Sequence, residues 1–255
     1  MRERVGRKLR LSLPRRFICD LMHFAKKVPT VPVQRRMHLG AVALARNARQ
    51  PRVSWCALFT KAYALVAKST PELRRAYLSF PWPHLYEHSL NIASIAFERK
   101  YQEEEAVFFS HIRSPEQLAL DNLESTLRRF KEQPLQSISG CRRSLMLSQL
   151  PLPVRRLVWW FGLNVWGRKR AHYFGTFGIS VYGGLGASSL HPLSPLTTTL
   201  NYGVIEPDGV VDVRIIYDHR VIDGASIARA LADLEGVLTG PILQELIGKR
   251  AYKAG

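Results

Sequence analysis

The residues best suited to chemistry lie near the C-terminus, in the segment 217–224 (YDHRVIDG). His219 precedes an Asp-Gly pair by four residues. An imidazole titrates close to neutral pH and can act as a base, while the carboxylate of Asp223 can fix the backbone around it. The alternative interpretation is a core histidine that is hydrogen-bonded at the end of a strand. The pattern favours a reactive site at His219.

The flanking elements indicate how His219 is positioned. Before it, 200–205 is typical of a strand, 207–209 of a hairpin turn, and 211–217 alternates as a second strand. After it, Asp223 stands at an N-cap position and a helix is predicted up to Gly240-Pro241. The apolar residues of this helix recur at helical spacing: Ile227, Leu231, Leu234 and Leu238. His219 is therefore predicted where a strand ends and the chain turns into a helix, facing a cleft.

The segment 218–224 resembles the DHRxxDG signature of the catalytic cores of dihydrolipoyl acyltransferases, which share a fold with chloramphenicol acetyltransferase. The segment 175–184 (GTFGISVYGG) resembles the GTFTISNLG segment of that family, and 191–195 (HPLSP) its following proline-rich turn. A weaker match covers 57–96. The resemblance implies an α/β (α+β) fold, a chloramphenicol acetyltransferase-like two-layer sandwich with a mixed sheet covered by helices.

The resemblance also implies a reaction, the transfer of an acyl group between a thioester, normally on coenzyme A, and a hydroxyl, amine or thiol acceptor. In such a reaction His219 removes the proton of the acceptor. Ser180 matches the family serine that donates a hydrogen bond to the oxyanion of the tetrahedral intermediate. Its alternative is a strand serine bonded to backbone. The coenzyme A thioester is a co-substrate, and neither a metal nor a lipoyl group is expected.

Other residues have supporting roles in this interpretation. Asp223 is expected to hold the loop of His219 through an ion pair with an arginine such as Arg15, although Arg15 can equally be a solvated charge at a helix start. Gly224 is expected to permit a tight turn, and Asp218 to be structural. In the family each active site lies between two subunits of a trimer, with the histidine from one subunit and the serine from the other, so we expect a homotrimer.

Charge is the most informative property of the composition, with 37 Lys and Arg against 20 Asp and Glu in 255 residues. The excess is concentrated in 1–52 and 141–172. Such surfaces attract phosphates, anionic membranes and acidic carrier proteins. No specific nucleic-acid motif is present. No apolar run reaches the length of a membrane span, and three widely spaced cysteines suggest neither disulfides nor zinc. We expect a cytoplasmic protein.

The predicted organisation is a basic arm (1–14), an acyltransferase domain (15–248) and a tail (249–255). Within the domain, the segment 140–172 replaces a shorter loop of the resembled family and forms a basic, Trp-rich insertion. The remaining elements are expected to be helices over 15–27, 53–68 and 116–130, strands over 90–98 and 106–111, and an extended segment over 31–44 that runs into irregular chain.

The insertion departs most from the family pattern. It contains Trp159, Trp160, Phe161 and Trp166 between clusters of arginine and lysine, a mixture favoured at a membrane interface. We hypothesise that these residues contact a membrane, at its inner face, or an acyl chain, and that they admit a lipid acceptor or a long acyl group. The alternatives are burial in a subunit interface and the lining of an internal acyl pocket.

Two departures shape the functional hypothesis. The sequence shows no lipoyl domain and no linker rich in Ala and Pro, so a free-standing acyltransferase that uses acyl-CoA or an acyl carrier protein is expected. A serine hydrolase is a rival, but the segment around Ser180 misses the GxSxG pattern by one residue. The other rival is a catalytically inactive trimeric scaffold or membrane-surface adaptor.

Overall fold

A computed structural model describes residues 6–181 and 186–248. Segment 6–12 has no regular secondary structure. The end of the GTFGISVYGG segment and the predicted tail lie outside the described residues. The helices are α1 (Leu13–Ala25), α2 (Gly40–Asn47), α3 (Trp55–Ser69), α4 (Leu120–Glu132), α5 (Ser139–Gln149), α6 (Leu152–Asn164), α7 (Gly167–Phe174), α8 (Gly224–Val237) and α9 (Leu243–Gly248). The strands are β1 (Thr30–His38), β2 (Arg75–Leu78), β3 (His84–Glu87), β4 (Ile92–Tyr101), β5 (Glu104–Arg113), β6 (Phe177–Ile179), β7 (Thr198–Tyr202) and β8 (Val210–Asp218).

Six of the described strands form one mixed sheet in the order β1-β8-β7-β6-β4-β5, and β2 and β3 form a separate antiparallel ribbon. The short strand β6 runs parallel to both of its neighbours, β4 and β7, whereas the other pairs in the sheet are antiparallel. Helices cover this sheet, so the predicted mixed sheet under a helical layer is confirmed.

The two faces of the sheet have different covers. On one face α3, α4 and α8 pack against the strands in the main apolar core, which includes Phe59, Tyr63 and Phe177. On the other face α1 and α5 lie against β5, and α7 lies against β4. Successive strand residues point to opposite faces. Ile179 therefore enters the main core, and Ser180 faces the layer that contains α1 and α5.

The insertion is helical throughout most of its length, because it forms α5, α6 and α7. A buried ion pair anchors it to α1: Asp20 Oδ2 accepts a hydrogen bond of 2.7 Å from Arg155 Nε, and Arg156 Nε lies 2.9 Å from Oδ1. Around this ion pair Phe24, Trp159 and Leu163 form a second apolar cluster. No helix among the described residues combines the length and the apolar character needed to cross a bilayer.

The expectation for 31–44 is wrong in its second half, where the extended chain gives way to α2 rather than to irregular structure. This helix has no side-chain N-cap. Its start is fixed by tertiary contact, because Leu39 N–H donates to Gly209 O at 3.0 Å. Gly209 has φ +84, and a Cβ there would lie 2.6 Å from Gly40 Cα. A short helix that is set by a distant turn leaves little signal in its own sequence.

Candidate active site

His219 is held at the point where β8 ends and the chain turns toward α8. Its backbone N–H donates to Pro29 O at 3.2 Å, just before β1 begins. The side chain is 50% exposed, so the ring is open to solvent rather than enclosed by side chains of its own chain. The structure thus places His219 where the sequence predicts it, with the imidazole accessible to a substrate.

Asp223 lies beside the ring of His219. The distance from Nδ1 of the imidazole to Oδ1 of Asp223 is 3.6 Å, which is longer than a hydrogen bond. The carboxylate can therefore stabilise a protonated imidazole electrostatically without holding the ring rigidly. Because Nδ1 faces Asp223, the other ring nitrogen, Nε2, is the one left for a substrate. Asp223 stands at the N-cap position of α8, but its side chain makes no capping hydrogen bond.

The residues on either side of His219 fix the backbone of this turn. Asp218 is buried, and its Oδ1 accepts hydrogen bonds from Arg220 N at 3.0 Å and from Arg220 Nε at 2.9 Å. Its Oδ2 accepts from Arg220 Nη2 at 2.7 Å. The guanidinium of Arg220 lies 4.2 Å from the ring centre of Tyr77. Asp218 therefore has a structural role: its bidentate ion pair with Arg220 joins the residues on either side of His219.

Two details of the supporting residues differ from expectation. Within the described part of one chain, no ion pair joins Arg15 to Asp223: α1 lies beside β5, at the opposite edge of the sheet from the strand pair β1 and β8. Gly224 has no positive φ. A Cβ at Gly224 would lie 3.1 Å from Tyr217 Oη, so this glycine serves the close approach of a tyrosine hydroxyl rather than a tight turn.

Ser180 follows β6 directly. Its backbone N–H donates to Leu200 O at 3.2 Å, and its carbonyl accepts a hydrogen bond from Asn201 Nδ2. Its main chain is thus held on β7. Among the residues that the structure describes, none is hydrogen-bonded to the Ser180 hydroxyl, so the alternative of a side chain engaged with backbone is not found there. This hydroxyl is available to donate to a ligand.

Ser180 and His219 lie at opposite ends of β7. Tyr217 pairs with Thr198, so His219 is level with residue 196, whereas Ile179 pairs with Leu200, so Ser180 is level with residue 201. Five residues of strand correspond to roughly 16 Å. One chain therefore cannot bring the two side chains to the same reacting group, and a site that uses both requires a second copy.

A large cavity opens on the Ser180 face of the sheet. Its volume is about 580 Å³, and it lies between α1, the insertion helices α5 to α7, the strands β4 to β6 and the loop before β7. Ser180 forms part of its wall. The apolar lining includes Phe17, Ile18, Leu21, Met22, Ala96, Val107, Phe109, Leu147, Val158, Trp159, Trp166, Phe174 and Leu196. Sequence reasoning offered an internal acyl pocket only as an alternative for the insertion and did not identify its other walls, because no local pattern places α1 against the insertion.

The aromatic residues of the insertion occupy different environments. Trp159 is 1% exposed and lines the cavity, with its ring 5.2 Å from Phe17 and 5.0 Å from Phe174 between centroids. Trp160 contacts Phe80, and Phe161 lies between Trp160 and Trp166. Trp166 is 48% exposed. Trp159 is thus suited to contact with an acyl chain inside the protein, whereas Trp166 is the member of the set that faces solvent.

Arg143 is the charged side chain among those that line the cavity. It reaches the imidazoles of His172, with 3.2 Å between Nη1 and Nε2, and of His111, with 3.5 Å between Nη2 and Nδ1. Burial, followed by the adjacent Arg143 charge, lowers the pKa of His111 to about 4. His111 is therefore neutral at physiological pH, and it can accept a hydrogen bond from the guanidinium.

Arg170 connects the insertion to the candidate site and was not identified from the sequence as a site residue. This buried guanidinium on α7 donates to Tyr77 O at 3.1 Å and to Pro195 O at 2.9 Å. Burial lowers its pKa to about 10, and the charge of Asp218 opposes that shift. Arg170 thus holds strand β2 of the ribbon and the loop before β7 close to Asp218, the residue that precedes His219.

No protein-family model and no curated protein sequence matches the chain. Solved structures do match. The dihydrolipoamide acetyltransferase of Azotobacter vinelandii is 17% identical, with a TM-score of 0.69 over 95% of this chain and 94% of the other. The cubic core of a pyruvate dehydrogenase multienzyme complex is 18% identical, with a TM-score of 0.65 over 96% of each chain.

A truncated catalytic core of the 2-oxoacid dehydrogenase multienzyme complex from Thermoplasma acidophilum is 20% identical, with a TM-score of 0.64 over 92% of this chain and 99% of the other. These similarities extend over nearly the whole of each chain. At such low identity they establish the fold, and this chain has the fold of the dihydrolipoamide acetyltransferase catalytic core. The resemblance inferred from the sequence is confirmed at that level.

Proposed function

We propose that the protein is an acyltransferase that moves an acyl group from a coenzyme A or acyl carrier protein thioester to a hydroxyl, amine or thiol. The observation that carries the proposal is the exposed imidazole of His219, with its Nδ1 facing Asp223, in the fold of an acetyltransferase core. A base that faces solvent at the end of a strand, beside a carboxylate that can stabilise its protonated form, is suited to deprotonating an acceptor.

In the proposed reaction, Nε2 of His219 takes the proton of the acceptor while the acceptor oxygen, nitrogen or sulfur attacks the thioester carbonyl carbon. The carbonyl oxygen becomes an oxyanion, and the Ser180 hydroxyl donates a hydrogen bond to it. When the tetrahedral intermediate collapses, the carbon–sulfur bond breaks and the imidazolium returns the proton to the leaving thiolate. Asp223 lies on the Nδ1 side of the ring, so it leaves Nε2 free to face the acceptor.

The separation of Ser180 from His219 supports a site that is shared between two copies of the chain. Each copy would supply His219 to one site and Ser180 to another, and a closed ring of three copies satisfies this arrangement with one type of contact. One structural neighbour is a cubic core, and a cubic assembly contains threefold axes. We propose a homotrimer.

The Azotobacter vinelandii neighbour offers further support. That structure served to investigate the role of a serine, a histidine and an asparagine in the catalytic mechanism, and the asparagine follows the histidine by four residues. In the present chain Asp223 follows His219 by four residues, and Ser180 precedes both. The proposed catalytic set therefore has the same order and the same four-residue step after the histidine, with a carboxylate in place of an amide, while the serine precedes the histidine by a different number of residues.

The donor is proposed to be anionic, because the chain carries a formal net charge of +17. The phosphates of coenzyme A or the acidic surface of a carrier protein would be attracted to such a field, most strongly at low ionic strength. The use of these donors without a lipoyl group belongs to the same proposal.

A peripheral position on an anionic membrane is the finer part of the proposal, with a lipid as one acceptor. Its support is the exposed apolar surface of α6, where Leu157 is 56% exposed, and of the turn after it, where Trp166 is 48% exposed. Arg168 and Lys169 follow at the start of α7. Binding to anionic vesicles at physiological salt should fall with Leu157→Glu and stay unchanged with Leu44→Glu, which alters a leucine on α2 that is even more exposed. Equal binding by both variants would contradict the membrane contact.

The activity is tested by thiol release from a panel of acyl-CoAs, with and without amine, hydroxyl and thiol acceptors. We expect acceptor-dependent release that His219→Ala abolishes and that His84→Ala, a change of an exposed histidine on β3, leaves intact. Release to water alone would indicate a hydrolase. No release with any donor would support the rival interpretation, an inactive trimeric scaffold or membrane-surface adaptor.

A further inference from the structure

We propose that the cavity between α1 and the insertion binds the acyl chain of the donor, so that the substrate is a medium- or long-chain fatty acyl thioester. This inference rests on the proposed function, because it concerns the acyl chain of the same thioester whose carbonyl oxygen is proposed to accept a hydrogen bond from Ser180. It goes further by naming the substrate class and the element that selects it.

The position of Ser180 is the first argument. Its hydroxyl belongs to the wall of the cavity, and Ala96 lies beside it on the neighbouring strand, because Ile95 pairs with Ile179. A thioester carbonyl that accepts a hydrogen bond from Ser180 would therefore have its acyl carbons at the entrance of the cavity. The apolar space of the cavity is then available to the carbons of the chain beyond them.

The chemistry of the wall is the second argument. Side chains from α1 (Phe17, Ile18, Leu21) and from the insertion (Leu147, Trp159) together line the cavity. Apolar surface that encloses a space of about 580 Å³ fits a pocket for an apolar ligand. Each methylene group that is transferred from water into such a space favours binding by roughly fourfold.

The polar groups of the wall are the third argument, because several of them already have partners within the protein. Ser144 Oγ donates to Cys141 O at 2.8 Å, and Ser194 Oγ accepts from Leu196 N at 3.2 Å. Arg143 is held by His111 and His172, and His111 is neutral. Two buried polar atoms of the wall, Thr199 Oγ1 and Trp159 Nε1, have no hydrogen-bond partner among the described residues. The rest of the lining is mainly apolar, which favours a hydrocarbon chain over a sugar or a peptide.

The insertion is the element that makes this cavity. Helices α5, α6 and α7 provide most of the wall that faces the sheet, and the ion pair between Asp20 and Arg155 fixes α6 against α1. The insertion is also where the sequence departs most from the acyltransferase pattern. We infer that the added helices determine which acyl chains the enzyme accepts.

The test fills the cavity without touching Ser180. Ile18→Trp places a large ring in the space, and Cys19→Trp is the matched control, because Cys19 is exposed on the same helix and does not line the cavity. The second pair of variants is on α5. Leu147→Trp changes a residue that lines the cavity, whereas Met146→Trp changes an exposed residue and serves as its control. The full-length chain is assayed with acetyl-CoA and decanoyl-CoA, and binding of both is measured by calorimetry.

We expect the unmodified protein to prefer decanoyl-CoA over acetyl-CoA by at least tenfold in kcat/KM. Ile18→Trp and Leu147→Trp should remove this preference and leave acetyl transfer within about threefold, while both control variants keep it. An unmodified protein that transfers both acyl groups equally, or a preference that survives both filled variants, would overturn the acyl-chain site and leave the proposed function standing.

If no thioester is turned over, the proposed function fails, and calorimetry alone decides the cavity. Tighter binding of decanoyl-CoA than of acetyl-CoA, lost in the filled variants, would still support the acyl-chain site. Equal or absent binding of the two ligands would overturn it. Circular dichroism of each variant separates a filled cavity from a misfolded chain, and the second pair remains informative if one filled variant does not fold.

Discussion

The buried ion pair between α1 and the insertion yields a prediction whose magnitude follows from the structure. Asp20 is 1% exposed and faces two arginines of α6, Arg155 and Arg156. Asp20→Asn keeps the shape of the side chain but leaves the buried Arg155 charge without a counterion. Breaking a buried pair in this way typically costs 3–5 kcal/mol, so we expect the free energy of unfolding to fall by about 4 kcal/mol.

Urea denaturation at one fixed protein concentration measures this change, followed by circular dichroism. The control is Glu206→Gln, which breaks the exposed pair with Arg36, where both side chains are more than half exposed. Such surface pairs contribute at most about 1 kcal/mol. The double variant Asp20→Asn with Arg155→Met should recover part of the loss, since the buried charge is then removed as well.

The reasoning would be refuted if Asp20→Asn lowered the free energy of unfolding no more than Glu206→Gln. The insertion would then be held by its apolar contacts alone. If the prediction holds, the variant should also lose the preference for long acyl chains, because α6 forms a wall of the cavity.

Three further predictions concern catalysis and stability. Ser180→Ala should lower kcat by about 100-fold to 1,000-fold through loss of an oxyanion donor, measured with saturating acyl-CoA, and an unchanged kcat would remove Ser180 from the mechanism. Burial, followed by the charges of Arg170 and Arg74, lowers the pKa of His88 to about 4. The unfolded chain takes up a proton at His88 below about pH 6.5, whereas the folded chain does so only near pH 4. The free energy of unfolding should therefore fall from pH 6.5 toward pH 4, by about 2 kcal/mol at pH 4.5. The His88→Phe variant should lack this part of the loss in pH-dependent denaturation. Gly209→Ala should destabilise by about 1–3 kcal/mol because of its positive φ and the contact with Gly40, whereas Gly236→Ala, on an open helix face, should not, as thermal denaturation would show.

The sequence predicts much of the candidate site because its signals are local. The strand, turn and helix around His219 each have their own pattern: β8 alternates, Gly209 marks the turn, and Ile227 begins a helical repeat. These elements need no distant partner to be recognised. The motif therefore placed His219 where the structure has it.

The features that sequence reasoning missed depend on contacts between distant segments. The cavity exists because α1 lies against helices that come more than a hundred residues later. The proposed pair of Arg15 with Asp223 ignored the sheet order, because α1 packs against the edge strand β5 whereas β8 lies next to the opposite edge strand, β1. The start of α2 depends on the turn at Gly209. None of these relations leaves a periodic or compositional signal in the segments concerned.

The most direct test of the central claim is to mix two inactive variants, Ser180→Ala and His219→Ala. If each site takes His219 from one copy and Ser180 from another, equal mixing into trimers by unfolding and refolding places both intact residues in about one quarter of the sites. We predict acyl transfer at about one quarter of the activity of the unmodified protein, well above either variant alone. Activity in the mixture no higher than the average of the two separate variants would contradict a site that His219 and Ser180 share between copies.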